Sequence, residues 1–164
     1  MKFVHAGLVS MAFLMVAGGV MLAAQEGMSA AVDLADTVKE RQNVMKQNGN
    51  VMKTIAGFVQ GGAGTLDDVA AAAGQIAQNA MKIPDLFPPG TSMDDVMDPK
   101  NGAKPVIWEK WDEFLGDADT LQREALEMRE LALAGDADGV AAQLDILGNE
   151  GCGGCHQTFR QKLE

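Results

Sequence analysis

Apolar side chains recur at steps of three and four residues along four stretches of the chain, the period of an α-helix that faces a core. The first stretch runs from about Asp33 to Gln60 and covers nearly four heptads, with polar residues at two positions. Its recurring positions are Leu34, Val38, Arg41, Met45, Asn48, Met52, Ile55 and Val59. No stretch shows the sustained alternation of a strand. The pattern predicts an all-α protein with an antiparallel four-helix bundle.

Capping signals and prolines mark the ends of these helices. The second stretch opens with Thr65 and Asp68, which resemble a capping box with Asp in place of Glu. Pro84 ends it, and the four prolines between there and Lys104 predict an irregular crossover. The third stretch starts near Pro105, a residue suited to a first helical turn.

Gly135 and Asp136 separate the third stretch from the fourth. Glycine suits the left-handed position after a helix, and aspartate suits the N-cap of the next one. The fourth stretch then carries apolar positions as far as Leu163, so we expect a helix over nearly all of it.

The first 24 residues have the layout of a secretory signal peptide. Lys2 is followed by the charge-free run 8–24, which ends in small residues before Gln25. A buried core helix and an uncleaved N-terminal anchor are the alternatives. We predict export to the periplasm and a mature bundle domain of residues 25–164. Cleavage removes His5 and leaves His156 as the single histidine of the mature chain.

The charge balance excludes one class of partner. The net charge is −10, and without the predicted signal peptide 12 basic residues stand against 23 acidic ones, because only Lys2 is lost. A nucleic-acid surface needs an excess of Lys and Arg to neutralise phosphates, and an anionic membrane surface is disfavoured for the same reason.

Both cysteines of the chain and the histidine lie in one short motif, Cys152-Gly153-Gly154-Cys155-His156. In a helix, residues three and four apart share a face. Two thiols on that face can form thioethers with the vinyl groups of a porphyrin, and the imidazole of His156 can then reach the iron. The motif is typical of covalent haem c attachment, and we predict one haem c per chain.

Three other roles are open to the motif. A disulfide between Cys152 and Cys155 is the simplest one for an exported pair. A thioredoxin-like dithiol lacks the βαβ context that it needs. A structural zinc site takes four ligands, whereas the motif supplies three.

The position of the motif in the last helix, together with the helical pattern, resembles the class II c-type cytochromes, the cytochrome c prime family. The resemblance extends over about residues 33–163. It implies a four-helix bundle with the haem inside one end, and often a homodimer. Further stretches similar to that family are 41–46 in the first helix, 86–91 in the crossover, 103–108 at the start of the third helix and 152–160 around the motif.

The resemblance places Met45 on the distal side of the haem. In low-spin relatives a methionine at this position binds the iron, whereas in high-spin members the residue only blocks it. With His156 as the fifth ligand and His5 removed with the signal peptide, no second histidine remains, so a protein ligand on this side is a thioether or, as the weaker alternative, a lysine. A methionine on a core-facing seam can also be plain core filler.

Three further residues are candidates for contact with the haem. Arg41 on the seam needs an anionic partner, for which a haem propionate is suited, unless it is a snorkelling surface arginine. Arg160 lies four residues beyond His156, where the family has a basic residue; a solvated C-terminal arginine is the alternative. Phe159 is expected beside the ring or simply in the core.

Three functional classes follow from this site. The first is one-electron transfer, for which the acidic surface suits a basic redox partner. The second is a five-coordinate haem that binds nitric oxide or carbon monoxide. The third is a haem-free, disulfide-bonded interaction module. We expect no enzyme, because the sequence contains no hydrolytic or nucleophilic constellation.

Overall fold

Helices make up most of the computed structural model, which describes residues 19–162, with side chains from Leu34 onward. Short connections at 60–65 and 134–136 join antiparallel neighbours, so the prediction of an antiparallel four-helix bundle is confirmed. The crossover at 84–104 contains one short 3₁₀ turn, Pro84–Leu86, and is otherwise irregular, as predicted. The helical elements are α1 (Gly19–Val59), α2 (Leu66–Lys82), α3 (Val106–Glu109), α4 (Trp111–Leu133), α5 (Ala137–Ile146), a π-helical turn (Leu147–Gly153) and α6 (Gly154–Phe159).

The predicted signal peptide lies for the most part outside the described residues. The structure describes none of residues 1–18, and of the predicted signal only residues 19–24 fall within α1. The chain divides into two units, Met1–Val32 and Asp33–Glu164. In the described part, no helix combines the length and the apolar character that a membrane crossing requires.

The predicted caps around α2 and α5 are confirmed. Thr65 Oγ1 accepts a hydrogen bond from the Asp68 backbone N at 3.2 Å, and the Thr65 backbone N donates to Asp68 Oδ2 at 2.8 Å. Both halves of the capping box are therefore present. Asp136 accepts from the Gly139 backbone N at 2.9 Å, and Gly135 adopts a φ of 79°.

Two of the predicted helices are interrupted. The third breaks at Lys110, which separates the four-residue α3 from α4. The prediction that the fourth runs helically to Leu163 is wrong, because α5 passes into the π-helical turn and α6 ends at Phe159. Beyond α6 the chain is extended: Arg160 bridges Ala103, so a long-range backbone pairing replaces the last helical turn.

The core is apolar, and two buried polar residues on the inner seam of α1 have partners. Arg41 and Asn48 are both buried, which explains their place in the heptad pattern. Asn48 Oδ1 accepts from Asn79 Nδ2 at 2.8 Å, and Asn79 Oδ1 accepts from Gln75 Nε2 at 3.1 Å. These amide hydrogen bonds join α1 to α2, and they give the buried side chains of Asn48 and Asn79 hydrogen-bond partners. The largest fully buried apolar side chains are Phe114, Phe159, Ile55, Ile76, Ile107, Met128, Leu147, Val38, Val44, Val69 and Val140.

Candidate functional site

The cysteine motif lies across a change of helix type. Cys152 belongs to the π-helical turn, whereas Cys155 and His156 belong to α6. The prediction that all three lie in one continuous α-helix is therefore wrong, because the wider turn shifts the register after it. A side-chain carbon added at Gly151 would lie 3.2 Å from Leu147 Cδ1 and would also crowd α4. Glycine thus allows this turn to pack closely against α4.

The two thiols are free and half-buried. Burial raises the pKa of the Cys152 thiol. Burial, followed by the charges of Asp117 and Cys152, raises the pKa of Cys155 to about 12. Both groups are thus protonated at neutral pH, and because the thiolate is the reactive form, spontaneous oxidation to a disulfide is disfavoured.

His156 has the accessibility that an axial ligand requires. More than a third of the residue is open to solvent, and the protein around the ring is still sufficient to shift its pKa. Burial, and then the positive charge of Arg160, lowers the pKa of His156. The lowered pKa favours the neutral imidazole, which is the form that binds a metal. Arg160 is exposed and lies within electrostatic reach of this ring.

Aromatic rings fill the interior next to the motif. Phe159 is 2% exposed and meets Phe114 edge to face, with 5.4 Å between ring centroids. Phe114 in turn lies 4.7 Å from Phe87 of the crossover and 5.4 Å from Trp111. The rings therefore connect α6, α4 and the crossover through one contact layer.

Arg41 is held by neutral groups of the crossover. Its Nη2 donates to the Thr91 carbonyl at 2.8 Å and to Asn101 Oδ1 at 2.9 Å, while its Nη1 lies 3.4 Å from Thr91 Oγ1. The guanidinium also stacks over Phe87, 4.3 Å from the ring centroid. Burial lowers the pKa of Arg41 to about 10, so the group stays charged at neutral pH. The snorkelling alternative is not supported, because Arg41 is only 5% exposed.

Replacing Arg41 with methionine should destabilise the crossover strongly. The Thr91 carbonyl and Asn101 Oδ1 would each lose a charged donor, which costs about 3 kcal/mol of unfolding free energy. Urea unfolding of the holoprotein followed by circular dichroism measures the loss. Lys39→Met is the matched control, since Lys39 pairs with Asp36 on the exposed side of the same helix. Equal stability of both variants would contradict this role of Arg41.

Met45 lies half-buried on α1 and packs against the main hydrophobic core. Cys152 and Cys155, near the C-terminal end of the described chain, also pack against this core. Met45 and the two cysteines are thus all partly buried against one hydrophobic cluster. Contact of Met45, Arg41, Phe159 or Arg160 with a haem stays a prediction.

The apolar stripe predicted for the third helix includes Phe114, whereas sequence reasoning missed Asp117. Asp117 of α4 is half-buried, and a side-chain carbon added at Gly154 would lie 3.8 Å from its Oδ1. Burial, and then Glu113, raises the pKa of this carboxyl. The signal was present in the sequence, since positions 114, 117, 118 and 121 share one helix face. Asp117 is an acidic residue on this otherwise apolar face, and that placement indicates a carboxylate turned toward the interior.

A family model described as Cytochrome C' matches residues 36–160 of the chain. The chain belongs to the cytochrome c' family. Among curated relatives, a cytochrome c-556 of Agrobacterium tumefaciens is 39% identical over 94 residues, which are 57% of this chain and 70% of that protein. A cytochrome c' of Pararhodospirillum photometricum is 37% identical over 94 residues, which are 57% of this chain and 71% of that protein.

Solved cytochrome c' structures share the fold. A cytochrome c' from Rhodopseudomonas palustris superposes with a TM-score of 0.66 at 27% identity, covering 79% of this chain and 98% of that one. Another cytochrome c', described by its ligand-controlled dimer dissociation, has a TM-score of 0.69 at 26% identity and covers 79% and 97%. The bundle predicted from periodicity is thus the bundle of the cytochrome c' family.

Haem c, covalently attached, is the cofactor of the cytochrome c' family, and the residues of this chain fit it. Two unlinked thiols stand three residues apart, and an accessible imidazole follows directly. Within residues 34–162, no three His, Cys, Asp or Glu side chains gather in a way that could hold a metal ion by themselves, so the zinc alternative finds no support there.

Proposed function

We propose that this protein is a periplasmic one-electron carrier. Cys152 and Cys155 hold haem c, His156 is its axial ligand, and Met45 occupies the distal side. Bound there, the haem supplies an iron that alternates between ferric and ferrous. The observation that carries the proposal is the pair of free thiols beside an accessible imidazole, packed on the same core as the half-buried thioether of Met45.

The surroundings of the site suit electron transfer. Buried aromatic rings exclude water from the interior next to the motif, and a poorly solvated site needs little rearrangement when its charge changes. Phe159 supplies one wall of this interior. The hydrogen bonds of Arg41 that the structure describes all go to neutral acceptors, so its buried charge is not neutralised by them and would be complemented by a haem propionate. Arg160 places a second positive charge near the axial histidine.

Ligand binding is the second candidate. One structural relative is a cytochrome c' whose dimer dissociates under ligand control. Small gas molecules such as nitric oxide or carbon monoxide would bind here if Met45 capped the iron without coordinating it. A homodimer of this chain is part of the same proposal. Neither candidate turns over a substrate, and we infer no enzymatic role.

Optical spectra of the ferric and ferrous holoprotein, before and after carbon monoxide, test the proposal. Electron transfer through a Met-ligated haem predicts a low-spin spectrum with a far-red ferric band and no response to carbon monoxide. Met45→Leu keeps the volume of the side chain but removes the sulfur, so it should abolish that band and open the iron to carbon monoxide.

Met52→Leu is the matched control. Met52 lies one heptad beyond Met45 on the same helix and packs against the same core, so its replacement should leave the spectrum unchanged. A high-spin wild-type spectrum with ready binding of carbon monoxide would contradict coordination by Met45 and favour the ligand-binding role. Fractionation of the native host and N-terminal sequencing test the periplasmic location and the cleavage after Ala24.

A further inference from the structure

One buried amide, that of Asn101, connects the two ends of the loop that closes the crossover. The residue is only 4% exposed. Its Nδ2 donates to the Ser92 carbonyl at 2.8 Å and to the Val96 carbonyl at 3.0 Å, and the Thr91 carbonyl lies 3.5 Å away. Backbone carbonyls thus surround the nitrogen end of this amide. A second acceptor placed at that end would be repelled by them.

The oxygen end of the same amide is turned toward Arg41. Asn101 Oδ1 accepts from Arg41 Nη2 at 2.9 Å and from the Ala103 backbone N at 3.3 Å. The nitrogen and the oxygen of an amide have nearly the same shape, so the neighbouring groups decide which way it points. Because acceptors lie at one end and donors at the other, only one orientation of Asn101 satisfies all of these contacts.

Asparagine holds the guanidinium of Arg41 without neutralising it. An aspartate at position 101 would bring a negative charge, but its second oxygen would meet the carbonyls that now accept from Nδ2. The other groups around the guanidinium, namely the Thr91 carbonyl and hydroxyl and the Phe87 ring, are neutral as well. Within the described part of the chain, no ion pair includes Arg41. Its buried charge is therefore fixed in place and uncompensated.

The guanidinium is held more firmly at one nitrogen than at the other. Nη2 of Arg41 donates over 2.8 and 2.9 Å, whereas Nη1 lies 3.4 Å from Thr91 Oγ1 and 3.5 Å from the Leu86 carbonyl. Hydrogen bonds from nitrogen to oxygen are most common near 2.9 Å, and contacts as long as those of Nη1 are weak. Nη1 thus keeps its capacity to donate to an anionic group, while the two bonds of Nη2 fix its direction.

We propose that Asn101 is a positioning residue that fixes the uncompensated charge of Arg41 beside the haem and thereby raises the reduction potential. This inference rests on the proposed electron transfer and on the propionate contact proposed for Arg41. A positive charge near the iron favours the ferrous state, because that state carries one positive charge less than the ferric state. A charge fixed in a buried site acts more strongly than a hydrated, mobile one.

NMR of the ferrous holoprotein tests the positioning step separately from the potential. Carbon monoxide is added if the ferrous haem is five-coordinate, so that the sample is diamagnetic in either case. The Nη protons of Arg41, assigned by their loss in Arg41→Met, should exchange with water at least about tenfold more slowly than those of Arg123, whose side chain is 65% exposed. Asn101→Ala should abolish this protection. Equally fast exchange at Arg41 and Arg123 in the wild-type protein would overturn the proposal, whether or not Asn101→Ala folds.

Ser92→Ala is the matched control. Ser92 is 3% exposed and lies on the same loop, but its Oγ contacts Asp95 Oδ2 at 2.6 Å and not Arg41. Its backbone carbonyl, which accepts from Asn101, is kept in the variant. The substitution should weaken the loop and leave both the exchange of the Arg41 protons and the potential unchanged. Equal loss of protection in Ser92→Ala and Asn101→Ala would mean that Asn101 acts only through loop stability, and would overturn the proposal.

Potentiometric titration of the holoprotein measures the consequence for the haem. Asn101→Ala should shift the equilibrium between ferrous and ferric haem about tenfold toward ferric, which lowers the midpoint potential by about 59 mV. Because the effect passes through Arg41, Asn101→Ala should change the potential no further in the Arg41→Met background. Equal shifts in the presence and absence of Arg41 would overturn the proposal.

Failure of this inference can be distinguished from failure of the proposed function. A high-spin spectrum that responds to carbon monoxide would contradict Met-ligated electron transfer, while exchange of the Arg41 protons and the potential would still decide the role of Asn101. A low-spin spectrum, together with a potential that changes in neither Arg41→Met nor Asn101→Ala, would overturn the inference and leave electron transfer intact.

Discussion

Replacing Cys152 and Cys155 together with serine removes covalently attached haem from the protein. The chain has no other cysteine, so no thioether can form elsewhere. We expect no haem-stained band on a denaturing gel, and complete extraction of any residual haem by acidified organic solvent. The variant must be expressed in a host that matures c-type cytochromes, beside the wild-type chain.

The two single variants are the matched controls. Each keeps one thioether, so haem should remain covalently bound while its ferrous pyridine complex absorbs at a longer wavelength, because one vinyl group stays conjugated with the ring. Haem that remains covalently bound in the double variant would contradict attachment through these thiols. If the wild-type chain carries no haem, the third functional class, a haem-free bundle, would be favoured instead.

Phe114→Ala should cost about 3–5 kcal/mol of unfolding free energy. Phe114 is 1% exposed, and its ring contacts the rings of Phe87, Trp111 and Phe159. Its removal therefore opens a cavity where α4, α6 and the crossover meet. Urea unfolding of the holoprotein, followed by circular dichroism at constant haem content, measures the loss.

Leu126→Ala is the control for this substitution. Leu126 lies three turns further along α4 and is 42% exposed, so its loss should cost less than about 1 kcal/mol. A loss below about 1.5 kcal/mol in Phe114→Ala would mean that the neighbouring rings close over the space. The aromatic layer would then not hold these elements together.

Much of the bundle could be predicted from local sequence. The steps of three and four residues report which face is buried, and Arg41 and Asn48 follow that pattern because both are buried in fact. The caps at Thr65 and Asp136 depend on residues within three positions, so local reasoning was sufficient for them. The capping box and the N-cap were therefore predicted at the correct residues.

The helix breaks could not be predicted in the same way. The end of α6 is set by pairing of Gln161 with Gly102, residues that lie far apart in sequence, and no local period reports such a partner. Glycine between 148 and 154 permits a wide turn, but it permits other conformations equally well. The π-helical turn depends on close packing against α4, which only the tertiary structure shows.

In the candidate site, too, contacts between residues close in sequence could be predicted, and contacts between distant residues could not. Cys152, Cys155 and His156 are contiguous, so their chemistry could be inferred from the motif alone. The neutral acceptors of Arg41 lie 50 and 60 residues away, on Thr91 and Asn101, and were not foreseen. Their identity depends on how the crossover folds back over α1, which a helical pattern does not describe.

Because of the π-helical turn, side-chain directions on α6 do not follow from the residue count along α5. An α-helix rotates by about 100° per residue, whereas the wider turn rotates by less, so counting from Val140 does not give the direction of His156. Substitutions that rotate α5 against α4 can be absorbed in the glycine-containing turn. The orientation of His156 can thus be kept while the packing of α5, the helix before it, changes.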